Sequence, residues 1–347
     1  MVGFCGEPFA DNGDLLSSLS PLLTSMKLFG LYYQRKNRRK RSIDDPEPER
    51  NSDTTKTVLS KPATTWNKLQ IHASVVLTLS WLNVFRLVFL ITKSDRFGAD
   101  LLMKIAVFSW FGLSAVLQTA YYYASHSGKL VKVLLTLPVT EDCVLKAHRA
   151  AVGLTVFTWT TLIINGIIGV YFYLDTDGRF DYNTAPLFTY IEVPEDKLVI
   201  SRLVGSLLHL LQIPATVLCP VMTQVLVYVF YHQFRKLKKN FGRAIGKKGQ
   251  LSTDLSVFRR RHQTLCSAVS KLDGFMMFSN VGGFACHIAN TIVLLYSVIF
   301  YRYTTETPIS TFIYVSVLQA NVLGLFFAAS AGIVVNHMVS LCNLYYQ

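Results

Sequence analysis

Residues 203–231 read LVGSLLHLLQIPATVLCPVMTQVLVYVFY, and residues 232–248 continue HQFRKLKKNFGRAIGKK. The first stretch has no Asp, Glu, Lys or Arg over 29 residues, and the second is densely basic. About 20 apolar residues suffice for an α-helix to cross a hydrocarbon core of about 30 Å. Backbone groups in lipid have no water to bond, so only helices and closed barrels span it. The stretch therefore reads as a transmembrane helix, and the lysines and arginines after it mark its cytoplasmic end.

Five further stretches repeat the pattern, and the spans are placed at about 71–91, 101–123, 151–174, 203–231, 276–301 and 312–335. The segment before the first span carries Arg35, Lys36, Arg38, Arg39, Lys40 and Arg41. Lys129, Lys132, Lys146 and Arg149 lie between spans two and three, while Asp175, Asp177, Asp181, Glu192, Glu195 and Asp196 lie between three and four. This alternation puts the N-terminus inside, and six spans return Gln347 to the same side. The expected fold is an all-α polytopic bundle with cytoplasmic helical extensions. Residues 1–69 form a cytoplasmic segment with the basic cluster and a polar linker, 42–65, expected to be disordered. Residues 70–347 form the bundle, with 232–275 as its longest cytoplasmic loop. The first 25 residues lack a basic start and are not a signal peptide.

A net charge of +13 raises nucleic acid as a partner, but the basic residues flank spans and read as topology determinants at an anionic inner leaflet. No nucleic acid is expected. Cys5, Cys143, Cys219, Cys266, Cys286 and Cys342 avoid the outer loops, so no disulfide framework is implied, and no pair has metal-ligand spacing. Neither a metal nor a cofactor is expected. There is no phosphate-binding loop, zincin motif or nucleophile elbow, which argues against an enzyme.

The span cores lack Asp and Glu, which ion-coupled transport usually requires. Their polar residues are amides: Asn83, Gln118, Asn165, Gln212, Gln224, Asn280, Asn290, Gln319 and Asn321. Such amides join helices by hydrogen bonds. Pro214 and Pro220 should loosen span four, and Gly282 and Gly283 permit close helix approach. On the cytoplasmic side, Leu130, Val133, Leu134 and Leu137 fall at i, i+3, i+4 and i+7, with Pro138 ending the run. Leu255, Phe258, His262, Leu265, Val269 and Leu272 alternate intervals of three and four. This stripe reads either as a helix on the inner leaflet or extending span five, or as an interhelical seam, including one between subunits.

Rhodopsin-type receptors have the opposite orientation and motifs that are absent here. The arrangement instead resembles the invertebrate gustatory/odorant chemoreceptor superfamily. The resemblance rests on three blocks: Lys27-Leu28-Phe29-Gly30-Leu31-Tyr32 before the first span, Phe258–Phe275 leading into the fifth, and Gly332–Leu344 after the sixth. Asp273 stands where family members often have Asn. That family carries a seventh span with a Thr-Tyr…Gln-Phe signature lining the ion path. Thr311-Phe312-Ile313-Tyr314 is not that signature, so no pore residue is carried over and the seventh span is expected to be missing from this sequence.

The resemblance implies a plasma-membrane, multi-pass taste or odour receptor. It would act as a ligand-gated, non-selective cation channel, assembled as a homo- or hetero-tetramer, with a small-molecule ligand in the outer half of the spans. An amide- and aromatic-lined bundle suits a small neutral molecule. The outer-half candidates are Phe108, Trp110, Tyr171, Tyr173, His209, Gln212, Tyr314 and Gln319. Aromatic residues near span ends also serve as interfacial anchors. A small-solute facilitator or a non-conducting accessory subunit are the competing readings.

Overall fold

Each of the six apolar stretches lies on one helix of the computed structural model, which describes residues 12–34, 68–92, 99–137, 139–174, 195–245, 254–300 and 308–344. The described helices are α1 (Asn12–Ser18), α2 (Ser20–Leu28), α3 (Lys68–Thr92), α4 (Ala99–His126), α5 (Lys129–Thr136), α6 (Glu141–Leu174), α7 (Glu195–Ala244), α8 (Leu255–Phe300) and α9 (Pro308–Leu344). Among the described residues, Lys68–Val88, Ile105–His126, Leu203–Ala244 and Asn280–Phe300 are long and apolar enough to cross a membrane, and Leu318–Val334 is a shorter apolar run. The stretch 151–174 lies on α6. The cluster 35–41, the linker 42–65, Pro138 and the acidic residues 175–192 lie outside the described residues.

α7 is the axis of the bundle. Its apolar window is 72% buried, against 18% for that of α8. It packs against α2, α3, α4, α6, α8 and α9. Ala215, Leu218, Cys219, Met222, Val225, Leu226, Val229 and Phe230 are all essentially inaccessible. A helix apolar on every side belongs inside, which the uninterrupted sequence of 203–231 dictates. α8 shows the opposite pattern. Val281, Phe284, Ile288, Ile292, Leu295 and Ile299 follow one another at three- and four-residue steps and stay exposed, as a lipid-facing stripe should.

The N-terminal segment is part of this core rather than an appendage. Leu15, Leu19, Leu22 and Met26, at steps of four, three and four, are each no more than 1% exposed. They join one cluster with Leu130, Leu134 and Leu137, with Ala147 and Ala151 of α6, and with α7. Each such burial is worth about 2 kcal/mol as an upper estimate. Polar contacts fix the register. His148 Nδ1 donates to Ser18 O at 3.0 Å, Trp159 Nε1 to Ser25 Oγ at 3.0 Å, and His72 Nε2 to Leu28 O at 2.9 Å. Tyr33 Oη lies 3.2 Å from His126 Nδ1.

α2 ends in a Schellman motif: Leu31 N–H donates to Met26 O at 2.8 Å and Gly30 N–H to Lys27 O at 3.2 Å. Gly30 has φ +70°, and a Cβ there would lie 3.1 Å from Ala73 Cα and 3.2 Å from Val76 Cβ. The block Lys27–Tyr32 thus needs glycine twice, for the left-handed turn and for contact with α3. Gly128, before α5, has φ +66° but nothing within 4 Å of its Cβ position. Gly30→Ala is therefore expected to cost more than the 1–2 kcal/mol of left-handed strain alone, and Gly128→Ala no more than that strain. Melting of the purified protein in detergent checks the order: an equal drop for both variants would contradict the close approach to α3.

Candidate functional site

Pro214 and Pro220 lie inside α7. Having no N–H, they leave the carbonyls of Leu210 and Thr216 without their helical donors. Membrane helices tolerate such gaps where neighbours supply replacement bonds. α4 instead bonds to neighbouring carbonyls of the same stretch, from one face at i, i+4 and i+7. Ser114 Oγ donates to Gln212 O at 2.6 Å, Gln118 Nε2 to Leu211 O at 3.3 Å, and Tyr121 Oη to Cys219 O at 3.3 Å. Within α7, Thr216 Oγ1 donates to Ile213 O at 2.8 Å and Thr223 Oγ1 to Cys219 O at 3.1 Å.

α3 completes the arrangement through Gln212. Asn83 Nδ2 donates to Gln212 Oε1 at 2.6 Å, and Gln212 Nε2 donates to Ser80 O at 2.8 Å. Asn83, Gln118 and Gln212 are all buried. Asn83 Oδ1 and Gln118 Oε1 have no donor among the described residues. Three residues earlier on α7, the His209 ring meets Phe111 edge-on at 5.3 Å and Trp110 at 6.4 Å. Phe108 packs one turn away against the cluster of Val84, Leu87, Phe111 and Ala115. The site carries aromatic rings around His209 and amides at Asn83, Gln118 and Gln212, without a carboxylate, lysine or arginine among these residues.

Of the expected ligand residues, the structure brings Trp110, His209 and Gln212 together, with Phe108 nearby on α4. Gln319 stays exposed on α9. The side chains of Tyr171, Tyr173 and Tyr314 lie outside the described residues. Ser80, Ser114 and Phe111 were not anticipated. The pattern Ser114-x₃-Gln118-x₂-Tyr121 could have indicated them, since three polar side chains on one face of an apolar helix need acceptors.

A second polar junction joins α4, α8 and α9. Cys286 Sγ donates to Ser109 O at 3.4 Å, Asn290 Nδ2 lies 3.6 Å from Cys286 Sγ, and His287 Nδ1 lies 3.0 Å from Asn321 Oδ1. A Cβ on Gly324 would stand 2.5 Å from His287 Nε2, so glycine admits the ring against α9. Among the described residues no three His, Cys, Asp or Glu side chains converge as metal ligands.

The stripe on the N-terminal part of α8 packs within the chain. Phe258, His262, Leu265 and Leu272 are buried, Val269 is half-buried and Leu255 is exposed. Phe258 meets Phe241 of α7 edge-on at 5.3 Å, and His262 meets Phe234 at 6.1 Å. Asp254 caps the helix, accepting from Ser256 N–H at 2.9 Å and Ser256 Oγ at 2.5 Å. These bonds hold its carboxyl below the usual range. Burial holds the His262 imidazole below its usual range and raises the Cys266 thiol, whose Sγ lies 3.5 Å from His262 Nε2.

Two outcomes follow. Gln212→Leu removes the donor to Ser80 O and the acceptor for Asn83, leaving buried polar groups unmet at about 1–3 kcal/mol. A lowered melting temperature in detergent is the readout, and an unchanged one would mean that the α3–α7 bonds contribute nothing. Because the folded pKa of His262 lies below the unfolded value of about 6.5, protons favour the opened seam. Protection factors along residues 255–272, which compare exchange with that of the unfolded chain at the same pH, should fall as pH drops below about 6.5, and His262→Phe should flatten that dependence.

No known protein family profile matches the chain, and no curated protein matches its sequence. Its structure is similar to that of the insect olfactory receptor OR5 from Machilis hrabei, with a TM-score of 0.64 at 14% identity, over 93% of this chain and 80% of that one. That likeness agrees with the resemblance carried by the blocks at 27–32, 258–275 and 332–344. The chain has the fold of an insect olfactory receptor.

Proposed function

We propose that this protein is a chemosensory receptor of the invertebrate gustatory/odorant kind, a subunit of a ligand-gated, non-selective cation channel for small neutral molecules. The observation that carries the reading is a fold shared with an insect olfactory receptor over 93% of the chain. The site supports it. Trp110, Phe111 and His209 offer ring surfaces, and Gln212 beneath them is bonded to both α3 and α4. A neutral ligand touching His209 or Gln212 acts directly on the bonds that hold α7 to its neighbours. The channel is read as a homo- or hetero-tetramer in the plasma membrane.

Whole-cell recording from cells expressing this chain, challenged with a panel of small volatile and sapid molecules, tests the proposal. Ligand-evoked cation current is the expected result. Trp110→Ala and His209→Ala should each raise the half-maximal concentration roughly tenfold, the equivalent of about 1.4 kcal/mol. Ile292→Ala, on the exposed stripe of α8, should leave it within a factor of two, about 0.4 kcal/mol. Saturable solute uptake without current would replace the channel with a facilitator, and neither response would favour an accessory subunit.

A further inference from the structure

Beyond Tyr231, α7 continues to Ala244 as a two-sided helix. Phe234, Leu237 and Ala244 are buried on one side, and Phe241 rests against Phe258. Arg235, Lys238, Lys239, Gly242 and Arg243 are all exposed on the other. Their spacing of i, i+3, i+4, i+7 and i+8 puts them on a single strip. Residues 232–245 contain no Asp or Glu. On the packed elements, Asp142 of α6 is engaged by Lys146 at 2.8 Å, and Asp254 at the start of α8 by Ser256. Lys236, off the strip, reaches towards α6 and donates to Thr140 Oγ1 at 3.3 Å.

Gly242 is the unusual member. A mid-helix glycine costs about 1 kcal/mol relative to alanine, and neither of the usual reasons applies. Its φ is not positive, and a Cβ there would meet nothing within 4 Å. What the glycine does provide is an open notch on the helix surface. Lys238 and Lys239 stand one turn before it, and Arg235 and Arg243 flank the strip. Gly112, Gly153, Gly274, Gly283 and Gly332 are equally open, but Gly242 alone lies within a strip of exposed cations.

The height of the strip suits lipid. A bilayer of about 40–45 Å around a 30 Å core leaves some 5–8 Å of headgroup layer on each side. At 1.5 Å per residue, Arg235 lies about 6 Å beyond Tyr231 and Gly242 about 16 Å beyond it. Long basic side chains reach back towards the interface. Phosphates carried above that layer on a sugar ring would meet them at the level of the notch.

We propose that this strip binds the headgroup of a polyphosphorylated inositol lipid of the inner leaflet. Arg235, Lys239 and Arg243 take the phosphates, and the ring edge rests on Gly242. The site lies apart from the outer-half ligand site and rests on the cytoplasmic orientation set by the basic loops.

The test uses the full-length protein in neutral detergent. Native mass spectrometry would follow binding of short-chain phosphatidylinositol bisphosphate, phosphatidylserine and free inositol trisphosphate. With each cation near a membrane surface worth about fivefold in binding, R235Q/K239Q/R243Q should weaken the inositol lipid on the order of a hundredfold. Gly242→Leu keeps every charge and the helix while filling the notch, and should weaken binding roughly tenfold, as misfit in one pocket does. K132Q/R149Q/K271Q removes as many exposed cations elsewhere on the same side and should change binding by less than about threefold. Equal losses in the two triple variants would overturn the site, as would phosphatidylserine binding as tightly as the inositol lipid. Inositol trisphosphate binding as tightly as the lipid would overturn the lipid assignment. If the first triple variant fails to fold, an unchanged affinity in Gly242→Leu is sufficient to reject the proposal.

Discussion

Every backbone carbonyl inside a bilayer must find a donor within the protein, and α7, the most enclosed helix, carries two prolines. The stretch of α7 around those prolines is also where its neighbours bond to it. α4 lies where Ser114, Gln118 and Tyr121 reach the carbonyls beside the prolines, and α3 lies where Ser80 and Asn83 meet Gln212. Shape packing alone would let α3, α4 and α7 slide or rotate at little cost. Directed bonds from three positions of α4 fix one register.

A soluble protein could leave such carbonyls to water. Here the donors are neutral amides and hydroxyls, which avoid the cost of a charge at the bilayer centre. The same choice leaves Asn83 Oδ1 and Gln118 Oε1 as buried acceptors with no donor among the described residues. Buried networks that are only partly satisfied are less stable than complete ones. The polar seam under His209 is therefore strong enough to set register, yet its bonds are few enough for a bound molecule to compete with them.

The long apolar helices were legible because lipid forces runs that nothing else in the sequence imitates, and four of those described are long and apolar enough to cross a membrane. The amides were legible as helix joiners because Asn83, Gln118 and Gln212 have no other way to be satisfied. The N-terminal hairpin was less so. Leu15, Leu19, Leu22 and Met26 keep helical steps, but the run is short and its partners lie more than 100 residues away on α5 and α6. Gly30 belonged to a block that carried the family resemblance, and only the approach of Ala73 at 3.1 Å shows why glycine is required there. The stripe at 255–272 was legible as a helical face, but period alone does not say whether it meets lipid, another subunit or another helix of the same chain. The Phe241–Phe258 and Phe234–His262 contacts supply that answer within one chain.

The length of α7 joins these parts mechanically. The distance from His209 to Phe241 along one unbroken helix is about 48 Å at 1.5 Å per residue. Its N-terminal section touches the aromatic rings of α4, its middle the polar side chains of α3 and α4, and its C-terminal section the aromatic seam of α8. A helix tied to its neighbours along its length transmits rotation, whereas a free proline bend would absorb it. The α4 side chains tie α7 at Leu211, Gln212 and Cys219, beside the prolines, where it would otherwise be softest. In the proposed receptor, that stiffness lets an uncharged ligand, with only a few kcal/mol of binding energy to apply, act on the cytoplasmic packing of α8 instead of losing its effect in a local bend.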